Sequence, residues 1–174
     1  MTAFDSSRCN MTCALDSLVI GKSPDRLRFA AKHVEHSPET SCTLIQRMII
    51  GSGIDLAEIG RIQQSIDRYG ERFLNRIYTP AEQAYCLSKR NSAESFAARF
   101  AAKEAAAKAL GTGISHGVGW LEIEVVRKRG GRPEVQFYGR AAEIAQHLGV
   151  AHAALSITHT SSLAMASVLL EDKR

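Results

Sequence analysis

From residue 48 onward, apolar positions recur with periods that alternate between strand and helix. Met48-Ile49-Ile50-Gly51-Ser52-Gly53-Ile54 is an apolar run interrupted by small residues. It predicts a buried strand, with glycines where another backbone or a ligand comes close. Asp55 followed by Glu58 resembles a capping box, so a helix is expected through about Tyr69, with Ile59, Ile62 and Ile66 as its apolar stripe and Arg61 and Arg68 outside. Gly70 stops it, and a short helix follows around Glu71–Ile77. Thr79-Pro80 supplies an N-cap and a first-turn proline for a helix over Pro80–Ser88. Ser92 opens a long helix to Leu110, capped by Gly111. Leu121–Val126 alternates at period two, Arg129-Gly130-Gly131-Arg132-Pro133 turns, and Glu134–Tyr138 pairs back as a hairpin. A helix over Arg140–Leu148 and two apolar strands, Ala153–Thr158 and Leu163–Leu170, complete the order. Strand, helices, hairpin, helix, two strands: the pattern implies an α+β domain.

Residues 1–47 lack this periodicity, and Ser23-Pro24 and Ser37-Pro38 interrupt any long element. They predict a poorly ordered extension ahead of a domain over residues 48–174, with Met48 a candidate for the true start. Six basic and five acidic side chains in the extension argue against a mitochondrial transit peptide, and no apolar core of a signal peptide occurs. No run approaches the ~18 apolar residues of a membrane span, so a cytoplasmic protein is expected. Cys9, Cys13, Cys42 and Cys86 form no CxxC pair and are expected to be free thiols. The balance of 22 Lys+Arg against 18 Asp+Glu, net +4, hints at an anionic partner without naming it.

The chemistry concentrates in FAARFAAKEAAAKALGTG, residues 96–113, where Arg99, Lys103, Glu104 and Lys108 stand among alanines. Phe96, Phe100, Glu104 and Lys108 are spaced by four and share one side of a helix. Glu104 and Lys108 could be a solvated i, i+4 pair worth about 0.3–0.5 kcal/mol, or the alanines could leave a binding surface clear. Asp55 could cap the next helix, or point into a ligand crevice from the end of a strand. A carboxylate from a strand and one from a helix suit Mg²⁺, which takes one or two carboxylates plus substrate phosphates. Lys108 with Gly111, Thr112 and Gly113 offers an ammonium and exposed backbone amides. His159 could be an ordinary turn histidine.

Taken together, Gly51-Ser52-Gly53-Ile54-Asp55 and Arg99-Phe100-Ala101-Ala102-Lys103-Glu104-Ala105-Ala106-Ala107-Lys108, some fifty residues apart, resemble the 4′-phosphopantetheinyl transferases. Gly111-Thr112-Gly113-Ile114, Trp120, Ile123, Glu124 and Ser156-Ile157-Thr158-His159-Thr160 are similar to the short bacterial holo-acyl carrier protein synthase subfamily. The likeness runs from Met48 to about Leu170. Ser52 departs from it where an aliphatic residue is usual, as do Ser161-Ser162 where an acidic residue or lysine is common.

The resemblance implies transfer of the 4′-phosphopantetheine arm of coenzyme A to a serine of apo acyl carrier protein, in fatty acid synthesis. It implies Mg²⁺ on Asp55 and Glu104, and catalytic roles for Glu104 and Lys108. It also implies that Lys108, Gly111, Thr112, Gly113, His159 and Thr160 hold coenzyme A, and that Arg61, with Arg68 on the same helix, faces the acidic carrier. A homotrimer with sites between subunits is implied too. Glu104 or a metal-bound water would take the serine proton, and the sequence leaves both open. A nucleic-acid-binding domain is the competing class, but only 6% aromatic residues and the lack of a recognition motif speak against it. A relative that binds without catalysis would be expected to lack Asp55, Glu104 or Lys108, and all three are present.

Overall fold

The computed structural model describes residues 48–114, 117–127 and 130–172, all within one unit, Cys42–Arg174. The expected extension over residues 1–47, with Cys9, Cys13 and Cys42, and Arg129 of the expected turn lie outside the described residues. In chain order the elements are β1 (Ile49–Glu58), α1 (Ile59–Tyr69), α2 (Glu71–Ile77), α3 (Pro80–Leu87), α4 (Ser92–Ala109), β2 (Ile123–Arg127), β3 (Pro133–Phe137), α5 (Gly139–His147), β4 (Val150–His159) and β5 (Leu163–Asp172). β1, β5 and β4 form an antiparallel sheet in that order, and β2 and β3 a separate hairpin. The α+β class expected from the sequence is what the chain adopts.

The alanines of α4 explain how the layers meet. Ala97, Ala101, Ala102, Ala105, Ala106 and Ala107 are all fully buried. The β-carbon that Gly51 lacks would fall 2.3 Å from the Ala109 carbonyl oxygen, and that of Gly53 2.0 Å from the Ala105 oxygen. Small residues on both elements therefore bring strand backbone against helix backbone, and Ala164, Ala166, Val168 and Leu170 of β5 complete that buried layer. The alanines serve close packing in the core and do not leave an open binding surface.

Register assigns the sheet residues to faces. Gly51, Gly53, Asp55 and Ala57 of β1 pair with Leu170, Val168, Ala166 and Ala164 of β5, which in turn pair with Ala153, Leu155, Ile157 and His159 of β4. This row faces α4. The alternate residues form the other face: Ile54 and Leu56 are 58% and 56% exposed, and Leu163 and Leu169 are exposed beside them. The first strand is thus buried on one side only, where its continuous apolar run predicted burial throughout.

Several boundaries also differ from expectation, and β4 begins at Val150, three residues before the expected Ala153. β1 continues through Asp55 to Glu58, because Asp55, Leu56, Ala57 and Glu58 all find partners on β5. Asp55 is consequently not a helix cap. Glu58 occupies the cap position without a side-chain hydrogen bond, and the first amide of α1, Ile59 N–H, donates to the Ser162 carbonyl at 2.9 Å. Leu121-Glu122 belongs to a 3₁₀ turn, Trp120–Glu122, and the strand begins only at Ile123. Thr79 caps α3 as expected: its hydroxyl accepts from Glu82 N–H at 3.3 Å, and the Glu82 carboxylate accepts from Thr79 N–H at 2.9 Å.

Candidate active site

Strand β1 and helix α4 bring Asp55, Glu104 and Lys108 together. Lys108 Nζ donates to Asp55 Oδ1 at 2.7 Å and to the Ile54 carbonyl at 3.2 Å. Lys108 is half exposed while Asp55 is 15% exposed, so the ion pair sits at a surface opening and contributes under about 1 kcal/mol to stability. Burial, and after it the negative charge of Asp55, raise the Glu104 carboxyl above the ordinary carboxylate range, against the pull of Lys108. Two carboxylates that feel each other and a lysine at the mouth make a site ready for phosphate and a cation. Among the described residues no group of three His, Cys, Asp or Glu side chains could enclose a metal. Two hard carboxylates without a third ligand fit Mg²⁺, whose remaining positions are filled by water and substrate phosphates, and do not fit a closed Zn²⁺ site.

The helix ends at Ala109, one residue beyond Lys108. Gly111 (φ 79°) and Gly113 (φ 63°) adopt the left-handed backbone that the turn requires. The amide of Gly111 donates to the Lys108 carbonyl at 2.9 Å, and those of Thr112 and Gly113 both donate to Ala107 at 3.2 and 3.1 Å. The amides expected to be exposed are therefore engaged in ending α4. Thr112 Oγ1 also donates to the Ala107 carbonyl, at 3.4 Å.

His159 closes a different cleft. A cavity of about 280 Å³ is lined by Tyr85, Glu94, Arg99, Arg127, Ile157 and His159, among others. His159 Nε2 lies 3.0 Å from Glu94 Oε1. Arg99, 6% exposed, lays its guanidinium 4.0 Å from the centre of the Tyr85 ring, and its Nε has no hydrogen-bond partner. Arg127 Nη1 donates to the Tyr85 hydroxyl at 3.3 Å. Burial opposes it, yet the hydrogen bond and charge of Arg127, with Lys89 and Arg99, lower the Tyr85 phenol below its ordinary value. This is an electropositive cleft with an unsatisfied donor, suited to an anionic group. Thr160, next to His159, is occupied in the β4–β5 turn, where its hydroxyl accepts from Leu163 N–H at 3.2 Å and Ser162 N–H at 3.4 Å.

Arg61 lines a third opening, about 290 Å³, with Leu56, Ile62, Phe73 and Phe100. Arg68 is exposed and lies over the Tyr69 ring at 5.2 Å. Beside it Tyr69, Arg72, Phe73, Arg76, Ile77 and Trp120 line an apolar cleft of about 460 Å³. The sequence-predicted residues thus group into a carboxylate–lysine centre, a cleft at His159 and a basic face on α1. Arg99, Arg127 and Glu94 of the second cleft were not among the expected site residues. An arginine four residues from Ser95 in an alanine-rich helix carries no local signal of burial, whereas the fold supplies one.

Comparison with known proteins fits this arrangement. Residues 51–166 match the family model of the 4′-phosphopantetheinyl transferase superfamily. The chain belongs to that superfamily. A holo-(acyl-carrier-protein) synthase of Koribacter versatilis is 61% identical over 125 residues, which is 72% of this chain and 100% of that one. The crystal structure of holo-(acyl-carrier-protein) synthase from Neisseria meningitidis superposes with a TM-score of 0.65 at 35% identity, covering 72% of this chain and 100% of that one. The Helicobacter pylori synthase in complex with coenzyme A gives a TM-score of 0.61 at 30% identity, covering 68% of this chain and 98% of that one. Within the superfamily, this chain is an enzyme of the holo-(acyl-carrier-protein) synthase type.

Proposed function

We propose that the enzyme transfers the 4′-phosphopantetheine arm of coenzyme A to a serine hydroxyl of apo acyl carrier protein, releasing adenosine 3′,5′-bisphosphate, in cytoplasmic fatty acid synthesis. The observation that carries this reading is the Asp55–Glu104–Lys108 centre, on a chain 61% identical to a holo-(acyl-carrier-protein) synthase. The serine oxygen forms a bond to the pantetheine-side phosphorus, and the bond from that phosphorus to the oxygen of the nucleotide phosphate breaks. Catalysis is chiefly alignment and charge stabilisation. Asp55 and Glu104 would hold Mg²⁺, which would offset the charge that gathers on the leaving bisphosphate. Lys108 adds its ammonium to the diphosphate. Glu104, or a water held with the metal, would take the hydrogen of the serine.

The cleft with Arg99, Arg127 and His159 suits the phosphates of the nucleotide, with Thr160 beside it and Gly111, Thr112 and Gly113 at the end of α4. Arg61 and Arg68 face the acidic carrier protein, consistent with their exposure on α1. The exposed apolar side of the sheet supports a homotrimer with sites between subunits. Residues 48–174 form the transferase domain and 1–47 an extension to it. Among the described residues, no helix is long and apolar enough to cross a membrane.

Intact mass spectrometry of an apo acyl carrier protein incubated with the enzyme, coenzyme A and Mg²⁺ tests this. The carrier is expected to gain one phosphopantetheine arm, and the gain is expected to vanish with chelator. No gain with several carriers, from folded enzyme, would overturn the transferase reading. A gain that persists in chelator would overturn the role of the metal.

A further inference from the structure

Lys103 is adjacent to Glu104 in sequence, but its side chain lies wholly in the core, 0% exposed. Its three ammonium donors are all taken. Nζ donates to the Ile77 carbonyl at 2.7 Å and the Trp120 carbonyl at 2.9 Å, and pairs with Glu82 Oε2 at 2.7 Å. Glu82, 1% exposed, spends its other bonds on backbone as well: Thr79 N–H at 2.9 Å and Val125 N–H at 2.9 Å. The pair therefore ties α4 to the end of α2, the start of α3, the 3₁₀ turn at Trp120 and strand β2.

A buried ion pair of this kind is a poor stabiliser, since desolvation offsets the attraction and apolar residues of similar size often do as well. Its specific capacity is to fix several backbones in one geometry. Two of the segments it fixes, α2 and Trp120, hold the carbonyl acceptors of Lys103 and line the apolar cleft with Arg72 and Arg76. Strand β2, held by Glu82 at Val125, borders the separate Arg99–His159 cleft. Trp120 also lies against Phe100, with ring centres 4.8 Å apart, and Phe100 stands one helical turn before Glu104. A cleft that is apolar inside and edged with arginine suits an amphipathic acidic protein better than a nucleotide.

Resting on the transferase reading, we propose that Lys103, whose own bonds go to Ile77 and Trp120, is a positioning residue for the acceptor side of the reaction: it sets α2 and Trp120 relative to Glu104 and so governs productive docking of the carrier protein more than binding of coenzyme A.

The test replaces the pair by apolar side chains, Lys103→Met with Glu82→Leu, which avoids leaving either charge buried alone. Glu82→Gln alone is the second variant, because it keeps the volume and the carbonyl acceptors of Lys103. Steady-state transfer is measured by intact mass, varying coenzyme A and carrier separately, with Trp120, the one tryptophan of the chain, as fluorescence reporter. Kcat/KM for the carrier is expected to fall about tenfold or more in the double variant. KM for coenzyme A should stay within about twofold, and Trp120 emission should shift to the red. Glu82→Gln should move the same quantities in the same direction by a smaller factor. An unchanged carrier kcat/KM in whichever variant folds, or equal losses toward both substrates, would overturn the proposal. Absence of transfer by the unaltered enzyme would instead overturn the transferase reading on which it rests.

Discussion

Asp55 and Lys108 are 53 residues apart in sequence and 2.7 Å apart in space, and that contact is the reason for treating them as one site. If both carboxylates are needed for chemistry and neither is needed for the core, Asp55→Ala and Glu104→Ala should each reduce transfer by about 100-fold or more. Their melting temperatures should stay within a few degrees of the parent, checked by calorimetry. Normal turnover by either variant would remove its residue from the centre. Cys86 makes the contrasting case of a reactive side chain held inert. Burial, the largest cause, pushes its thiol from 9.0 up to about 11. The protonated form is therefore favoured by folding, and that contribution is complete below pH 9 and lost as pH rises toward about 11. Cys86 should resist alkylation in the native state near neutral pH, as peptide mapping would show. The alkaline fall in denaturation midpoint should be shallower in Cys86→Ala than in the parent. Four of the five charged residues of the long helix show what one sequence can reveal at this scale. Glu104 and Lys108 were legible from spacing joined to a family motif. Lys103 and Arg99 were not, since their partners Glu82 and Tyr85 are supplied by another helix.

At the scale of elements, most of the fold was legible because its signals are local. Thr79-Pro80 with Glu82 specifies a helix start within four residues, and the structure makes both bonds of that box. Asp55 with Glu58 has the same residue chemistry, yet the chain stays extended there. The deciding interactions, with Ala166 and Leu163 on β5 and from Ile59 to Ser162, come from the far end of the sequence. Composition could say that α4 is a helix, but not that its alanines receive a strand. That packing makes a sharp prediction. Gly53→Ala puts a methyl 2.0 Å from the Ala105 oxygen, so the layers must separate, and the cost should be about 1–3 kcal/mol. Gly60→Ala, in the first turn of α1 with nothing within 4 Å of the new carbon, should instead stabilise by about 0.5 kcal/mol. Urea denaturation of the two variants measures both, and equal effects would mean that the β1–α4 contact is looser than a 2.0 Å approach implies.

The exposed face of the β1–β5–β4 sheet poses the question of assembly for the whole molecule. Ile54, Leu56, Leu163 and Leu169 gather on it, opposite the face that α4 covers. Covering the half of one such side chain that is still exposed gains roughly half of the ~1.5–3 kcal/mol of full burial, while joining two bodies costs roughly 4–15 kcal/mol. Four large apolar residues contributed by every subunit are enough to exceed the lower part of that cost, whereas one or two would not be. Light scattering on the eluting protein should therefore give about three times the 19.0 kDa of the chain, the ratio the proposed homotrimer requires. Leu56→Glu puts a charge in the middle of the face, and its mass should fall to that of the single chain while α4 and its helical signal persist. Transfer activity should fall with it and return partly at high enzyme concentration, because sites shared between subunits exist only in the assembled form. A parent enzyme that elutes as a monomer and is fully active would sink both the trimer and the shared site. The exposed apolar face would then belong to a different partner.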